Sequence, residues 1–247
     1  MIEVANLTKS FGSVRAISGI SFSVAAGEIF GLLGPNGAGK TTTLRILATL
    51  LRADSGTASV AGYEVKSQAE AVRRSIGVVN GGMGLYDRLT GREILNYFGR
   101  LYGMSNGPIN ARIDELAEVL ELGNALTRQA GGFSTGMKQK IVIARAVLHD
   151  PPVIFFDEAT SGLDVMARRA VLDLVRRFAR DGKVVVYSTH VMSEVEQLCD
   201  RLAIIFRGEL VVRDTLAGLL SSTGKASLEE AFFATVRKSG LVQEEAA

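Results

Sequence analysis

Apolar and polar residues alternate over positions 2–7 and again over 20–24, the two-residue period of strands with one covered face. Ala25-Ala26-Gly27 supplies a turn, and Glu28-Ile29-Phe30-Gly31-Leu32-Leu33 predicts a further strand. A glycine-rich stretch, Gly34 to Gly39, follows at once, and from position 40 to 51 apolar residues recur at helical spacing. The order is strand, loop, helix. Thr90-Gly91-Arg92-Glu93 has the spacing of a capping box, and Ile94, Leu95, Phe98, Leu101 and Tyr102 then form one apolar stripe that stops at Gly103. Ile109, Ile113, Leu116, Ala117 and Leu120 repeat the pattern, and a third helix is predicted from Ser134 to about His149, where Asp150-Pro151-Pro152 ends it. Beyond it the period changes. Positions 153–156, 184–187 and 202–206 are continuous apolar runs separated by helices at about 165–180 and 193–199, the pattern of a parallel sheet covered on both faces. Arg207-Gly208 predicts a hairpin turn, and Ser227-Leu228-Glu229-Glu230 predicts a capped closing helix.

With 247 residues, 47% hydrophobic and 22% charged, the chain can bury a sizeable core. Lys+Arg 28 against Asp+Glu 26 leaves +2, too small an excess to imply a nucleic-acid groove or a polybasic membrane surface. The single cysteine, Cys199, forms no internal disulfide; it reads as a small apolar residue on a helix in a reducing compartment. No apolar run approaches the roughly eighteen residues of a membrane span, and the first residues lack the apolar core of a signal peptide, so a cytoplasmic location is expected.

Gly34-Pro35-Asn36-Gly37-Ala38-Gly39-Lys40-Thr41 matches G-x-x-x-x-G-K-[ST], a phosphate-binding loop, and lies between a predicted strand and a predicted helix as that motif requires. Such a loop turns backbone N–H groups towards phosphates; the helix start, with Lys40, Thr41 and Thr42, adds partial positive charge. Lys40 reaches the β and γ oxygens, and the Thr41 hydroxyl can hold Mg²⁺. The apolar run 153–156 ends in Asp157-Glu158, two carboxylates at the C-terminal edge of a parallel sheet. Asp157 is the candidate for the Mg²⁺ shell and Glu158 the candidate for polarising the attacking water. Of the two histidines, His149 ends a helix, where the negative dipole end suggests a structural role; His190 follows a strand that should finish beside Glu158.

Phe133-Ser134-Thr135-Gly136-Met137, at the start of an apolar helix, resembles the signature of the ATP-binding cassette (ABC) family, with Ser134 and Gly136 matching and Thr135 and Met137 departing from Leu-Ser-Gly-Gly-Gln. Ser161-Gly162-Leu163-Asp164 is similar to that family's D-loop, His190 sits at its switch histidine, and Phe11 in Ser10-Phe11-Gly12 matches its adenine-stacking aromatic. The resemblance runs from about Ile2 to Arg213. It implies an α/β fold: a P-loop NTPase (RecA-like) core with a mostly parallel sheet, an N-terminal antiparallel β subdomain and an inserted helical subdomain. The expected divisions are 1–83 with 150–225 for the core, 84–149 for the helical part and 226–247 for a tail that packs or contacts a partner.

It also implies an ATPase using ATP and Mg²⁺, with Ser134, Gly136 and Asp164 reaching the nucleotide held by a second ATP-binding subunit, the two forming a homodimer in the ATP state. A separate transmembrane permease subunit is implied, with the chain peripheral on the inner face of the cell membrane and no nucleic-acid partner. The family's Q-loop glutamine falls on Gly81, with Asn80 as the nearest amide, and Ala159 replaces a usual proline. Together with Gly-Leu-Tyr-Asp-Arg-Leu-Thr at 84–90, these departures are similar to ATPase subunits of sodium-extrusion (Nat-type) exporters; drug exporters share the build. Two other readings stand beside it: a non-transport ABC protein acting on DNA or ribosomes, and a regulatory cassette that binds ATP and signals by dimerising.

Overall fold

The computed structural model describes residues 1–80 and 84–241. Two sheets form its frame. The first is wholly antiparallel, in the order β2-β1-β4-β5, from β1 (Ile2–Phe11), β2 (Val14–Val24), β4 (Ser55–Val60) and β5 (Tyr63–Glu64). The second is in the order β10-β9-β3-β8-β7-β6, from β3 (Ile29–Leu33), β6 (Ile76–Asn80), β7 (Val153–Asp157), β8 (Val184–Thr189), β9 (Arg201–Phe206) and β10 (Glu209–Thr215). Its first five members in space from β6 to β9 run parallel, and β10 closes the edge antiparallel. Strands β3, β7 and β8 are buried at every position, which is why they read as unbroken apolar runs.

Helices cover both faces. The helix α1 (Lys40–Leu47) follows β3 and packs Leu44, Ile46 and Leu47 with Phe22, Phe30 and Val60, joining the two sheets in one core. On the other face α3 (Gly91–Leu101), α4 (Asn106–Val119), α5 (Thr135–Val147) and α6 (Val165–Arg180) share a core with Phe156, Val185 and Tyr187. The Thr90 capping box is present in both directions: the Thr90 hydroxyl accepts from the Glu93 N–H and the Glu93 carboxylate accepts from the Thr90 N–H. The Arg207-Gly208 turn joins β9 to β10 with φ of 49° and 82° at its two residues, the left-handed pair of a tight hairpin.

Residues 52–80 carry elements that the pattern of apolar positions did not announce. Strand β4 is Ser-Gly-Thr-Ala-Ser-Val, with weak hydropathy of its own, and it is a strand because β1 pairs with it from Ile2↔Val60 to Thr8↔Ser55. Helix α2 (Ala69–Ser75) buries only Val72. The closing helix α9 (Leu228–Lys238) has half the expected box: Ser227 accepts from the Glu230 N–H, but the Glu230 carboxylate takes the Ala226 N–H instead of closing on Ser227. Its Leu228, Ala231, Phe232 and Val236 are buried with Leu33, Leu202 and Ile204 and with Leu219 of α8 (Leu216–Thr223). Among the described residues no helix is long and apolar enough to cross a membrane.

One single-residue expectation is corrected: Cys199 lies just past α7 (Met192–Leu198) in extended backbone, not within the helix, with its Sγ against Gly31. His149 has the structural role expected of it, and it fills that role as a packed ring. Its ring stacks on Tyr102 at 3.7 Å, its Nε2 lies 3.1 Å from the Ile76 carbonyl and its Nδ1 has no partner. Burial pushes its pKa down to about 4, so the ring is neutral. A histidine depressed in the folded chain binds its proton more readily when unfolded, so the stability it supports is whole above about pH 6.5 and is lost as pH falls towards 4. His149→Phe, which keeps the stack, should flatten this acid-side loss; urea unfolding of both proteins at steps between pH 7 and pH 4 checks it through the difference between the two curves.

Candidate active site

The site lies at the C-terminal edge of the parallel strands, where β3, β7 and β8 end together. After β3 the chain turns through residues 34–39 into α1. Gly39, at φ 110°, is the cap residue; without a side chain it leaves the first-turn N–H groups of Lys40, Thr41 and Thr42 with no side-chain acceptor. A Cβ at Gly39 would stand 2.6 Å from the Ala16 carbonyl, and one at Gly34 would stand 2.1 Å from the Ile205 carbonyl, so two strands press this loop into shape. The result is an uncapped helix start with no acidic residue in its first turn, aimed out of the sheet edge. Such an end suits a polyanion.

Lys40 is 4% exposed. Its Nζ donates to the carbonyls of Gly34 and Pro35 at 2.7 and 3.1 Å and lies 3.5 Å from Glu158 Oε1. Burial lowers its pKa, and the neighbouring carboxylates of Glu158 and Asp157 offset part of that. Thr41 Oγ1 donates to Asp157 Oδ1 at 3.1 Å. Ser188, which the motif reading passed over, donates to the same oxygen at 3.0 Å. No signal within one sequence points to Ser188; it is there because it is the register partner of Asp157 on the neighbouring strand.

Glu158 leaves β7 at φ 49°, a left-handed conformation unusual for glutamate, and its N–H is held by the Ser188 carbonyl at 3.0 Å. The carboxylate faces Lys40 on one side and, at 3.5 Å, His190 Nδ1 on the other. His190 is half exposed, so both groups meet solvent at the sheet edge. Chemically, this is a desolvated cation, a hydroxyl–carboxylate pair, and a carboxylate–imidazole pair within one small region. Among the described residues no three His, Cys, Asp or Glu side chains form a metal cluster. Thr41 and Asp157 supply only two hard oxygens, a donor set that suits Mg²⁺, which keeps waters and substrate phosphates in its shell.

The chain as a whole is similar to known proteins. A profile of the ABC transporter family matches residues 17–161. The chain belongs to that family. It is 42% identical over 237 residues to the ABC transporter ATP-binding protein NatA of Bacillus subtilis (strain 168), covering 94% of this chain and 96% of the relative. It is 41% identical to the daunorubicin/doxorubicin resistance ATP-binding protein DrrA of Streptomyces peucetius, covering 90% and 68%. Among solved structures, the ATP-binding subunit of an ABC transporter matches with a TM-score of 0.87 at 31% identity over 96% of this chain and 99% of that one. A dimeric ATP-binding cassette in a post-hydrolysis state, bound to ADP and Pi, matches with a TM-score of 0.78 at 26% identity over 87% and 99%. This ABC chain is an ATPase: it binds ATP and hydrolyses it.

The remaining family-type residues have local partners of their own. Ser134 is exposed and caps α5, its hydroxyl accepting from the Met137 N–H at 3.2 Å, with Gly136 in the first turn. Asp164 caps α6 through the Ala167 N–H at 2.8 Å. Phe11 ends β1 half exposed, with Lys9 Nζ 5.5 Å from its ring centre. No hydrogen bond or ion pair among the described residues ties these three to Lys40, Asp157 or Glu158. Gly81 lies outside the described residues. Asn80 ends β6 and is the register partner of Asp157.

A lysine buried for function costs the fold. Lys40→Met keeps the length of the side chain and removes a desolvated charge, so the urea midpoint should stay level or rise while ATP affinity falls at least tenfold; equilibrium unfolding and nucleotide titration of the same preparations check both.

Proposed function

We propose that the chain is the energy-supplying subunit of an ABC exporter and works as a head-to-tail dimer. The observation that carries this reading is the single edge at which Lys40, Thr41, Asp157, Glu158 and His190 meet, while Ser134 and Asp164 stand exposed elsewhere on the same molecule. A site complete in one copy would bring all of them together. In the proposed dimer, the loop of residues 34–39, with Lys40, Thr41 and Thr42, holds the phosphates of ATP and Phe11 stacks on the base. The helix start at Ser134, with Gly136 and Asp164, then approaches the γ-phosphate from the second copy.

Lys40 exchanges its contacts with the Gly34 and Pro35 carbonyls for phosphate oxygens. Thr41 and Asp157 would hold Mg²⁺, which neutralises developing phosphate charge when bound. Glu158 accepts a proton from the attacking water, and His190, beside it, holds the γ-phosphate end of the site. Binding of ATP shifts the pair towards the closed form; a nucleotide at a hundredfold excess over its Kd supplies about 2.7 kcal/mol of that bias. Hydrolysis releases it.

A membrane permease subunit would dock near the loop at positions 80–90, leaving this chain peripheral on the inner face of the membrane, with 84–149 moving as the helical part against the core of 1–83 and 150–225. Sodium ion or drug efflux is the proposed traffic, by likeness to the relatives named above. Asn80, opposite Asp157 in the strand ladder, is proposed to serve in part where the family has a glutamine at the position of Gly81.

In Mg²⁺-dependent ATP hydrolysis by the purified chain, the rate per molecule should climb with protein concentration, and Glu158→Gln should abolish turnover while accumulating an ATP-dependent dimer. ATP binding without turnover at any concentration would favour a regulatory cassette instead. Asn80→Ala should lower turnover severalfold and Gly81→Ala should not; equal rates in the two variants would refute the role given to Asn80.

A further inference from the structure

Glu194 belongs to no motif of the site, yet its carboxylate lies under both loops that carry the catalytic pair. It sits in the first turn of α7 and is 1% exposed. Oε1 accepts from Thr160 Oγ1 at 2.7 Å; Oε2 accepts from Thr189 Oγ1 at 2.7 Å and from the Tyr187 hydroxyl at 3.1 Å. The Tyr187 hydroxyl also stands 3.3 Å from Thr160 Oγ1, so the four groups close on one another. Thr160, Tyr187 and Thr189 are all buried. Arg168 Nε, from α6, is 3.7 Å from Oε1 and supplies a counter-charge without a hydrogen bond.

The connectivity gives this cluster its meaning. Thr160 is two residues beyond Glu158, and Thr189 immediately precedes His190. Successive residues of β8 point to opposite faces, so Ser188 reaches Asp157 while Tyr187 and Thr189 reach Glu194. A carboxylate taken out of water is costly, and apolar side chains would fill the same volume without that cost. What the carboxylate adds is directed, charge-assisted bonds to hydroxyls from two separate loops. The Glu158 carboxylate and the His190 imidazole, 3.5 Å apart, are thereby set by a shared support below them.

We propose that Glu194 is a positioning residue for ATP hydrolysis: it clamps Thr160 and Thr189 to one buried carboxylate and so fixes the separation of Glu158 and His190 without touching nucleotide. This rests on the roles given to Glu158 and His190 in the proposed function. Loosening the clamp slows the chemical step, while ATP affinity, set by the Lys40 loop, is unchanged.

The test measures kcat and ATP Kd for Glu194→Ala, Thr160→Val and Thr189→Val, for the hydroxyl-retaining Thr160→Ser and Thr189→Ser, and for Glu158→Gln, with urea midpoints for all. The expected result is a kcat loss of tenfold or more in the alanine and valine variants with Kd within twofold of the parent. Both serine variants should recover kcat to within about threefold, and either valine change should cost little more once Glu194 is alanine. Should Glu194→Ala fail to fold, the valine–serine pairs carry the comparison. Folded valine variants with parental kcat, or losses that serine does not repair, would overturn the clamp. Undiminished turnover in Glu158→Gln would instead overturn the reading of the site on which the clamp depends.

Discussion

The register of three parallel strands is the constraint on which the site depends. Asp157 pairs with Ser188 between β7 and β8, and Leu33 pairs with Thr189 between β3 and β8. Because these ladders end at one level, the phosphate loop after β3, the carboxylates after β7 and the imidazole after β8 emerge side by side. A slip of β8 by one residue would turn Ser188 away from Asp157 and Tyr187 away from Glu194. Burial of all three strands on both faces makes such a slip expensive, so the core that stabilises the sheet also aligns the chemistry.

Several features of this edge work against stability. Lys40 is held in a position where burial opposes its charge. Glu158 adopts a left-handed backbone that costs on the order of 1 kcal/mol or more for a residue with a side chain. The start of α1 is left without a side-chain cap, where Thr90, Ser134, Asp164, Thr215 and Ser227 cap five other helices. Uncapped helix starts occur also at α2, α4 and α7, and left-handed backbone also at residues such as Asn6 and Asp150; at this edge both meet a buried lysine, and each leaves a group available to a phosphate or to water. The Ser134 and Asp164 caps are the complement: exposed helix starts that are structurally satisfied, which in the proposed dimer would face the second copy.

The polar layer beneath the edge is built differently from the edge itself. Above it, Glu158 and His190 are partly exposed and loosely spaced. Below it, Thr160, Tyr187, Thr189 and Glu194 are buried and joined by short hydrogen bonds. In the proposed reaction, groups that exchange partners thus stand on a support whose own partners are already satisfied.

What the sequence determined by itself is whatever rests on contiguous residues. The phosphate loop, the Thr90 box, the Arg207-Gly208 hairpin and the apolar runs of the parallel strands were legible because their causes, a left-handed turn, a capped first turn or a two-faced burial, act within a few positions. The eight residues of β4 and β5 were not legible, because only the pairing of β4 with β1, and of β5 with β4, makes them strands. The tertiary structure alone decided that Ser188 lies on Asp157, that Glu194 lies beneath both loops, and that His149 is a neutral stacking ring and not a cation at a helix end. Each of these depends on groups far apart in the chain, whose meeting is set by strand register and whose ionisation is set by how much water the packed fold leaves around them.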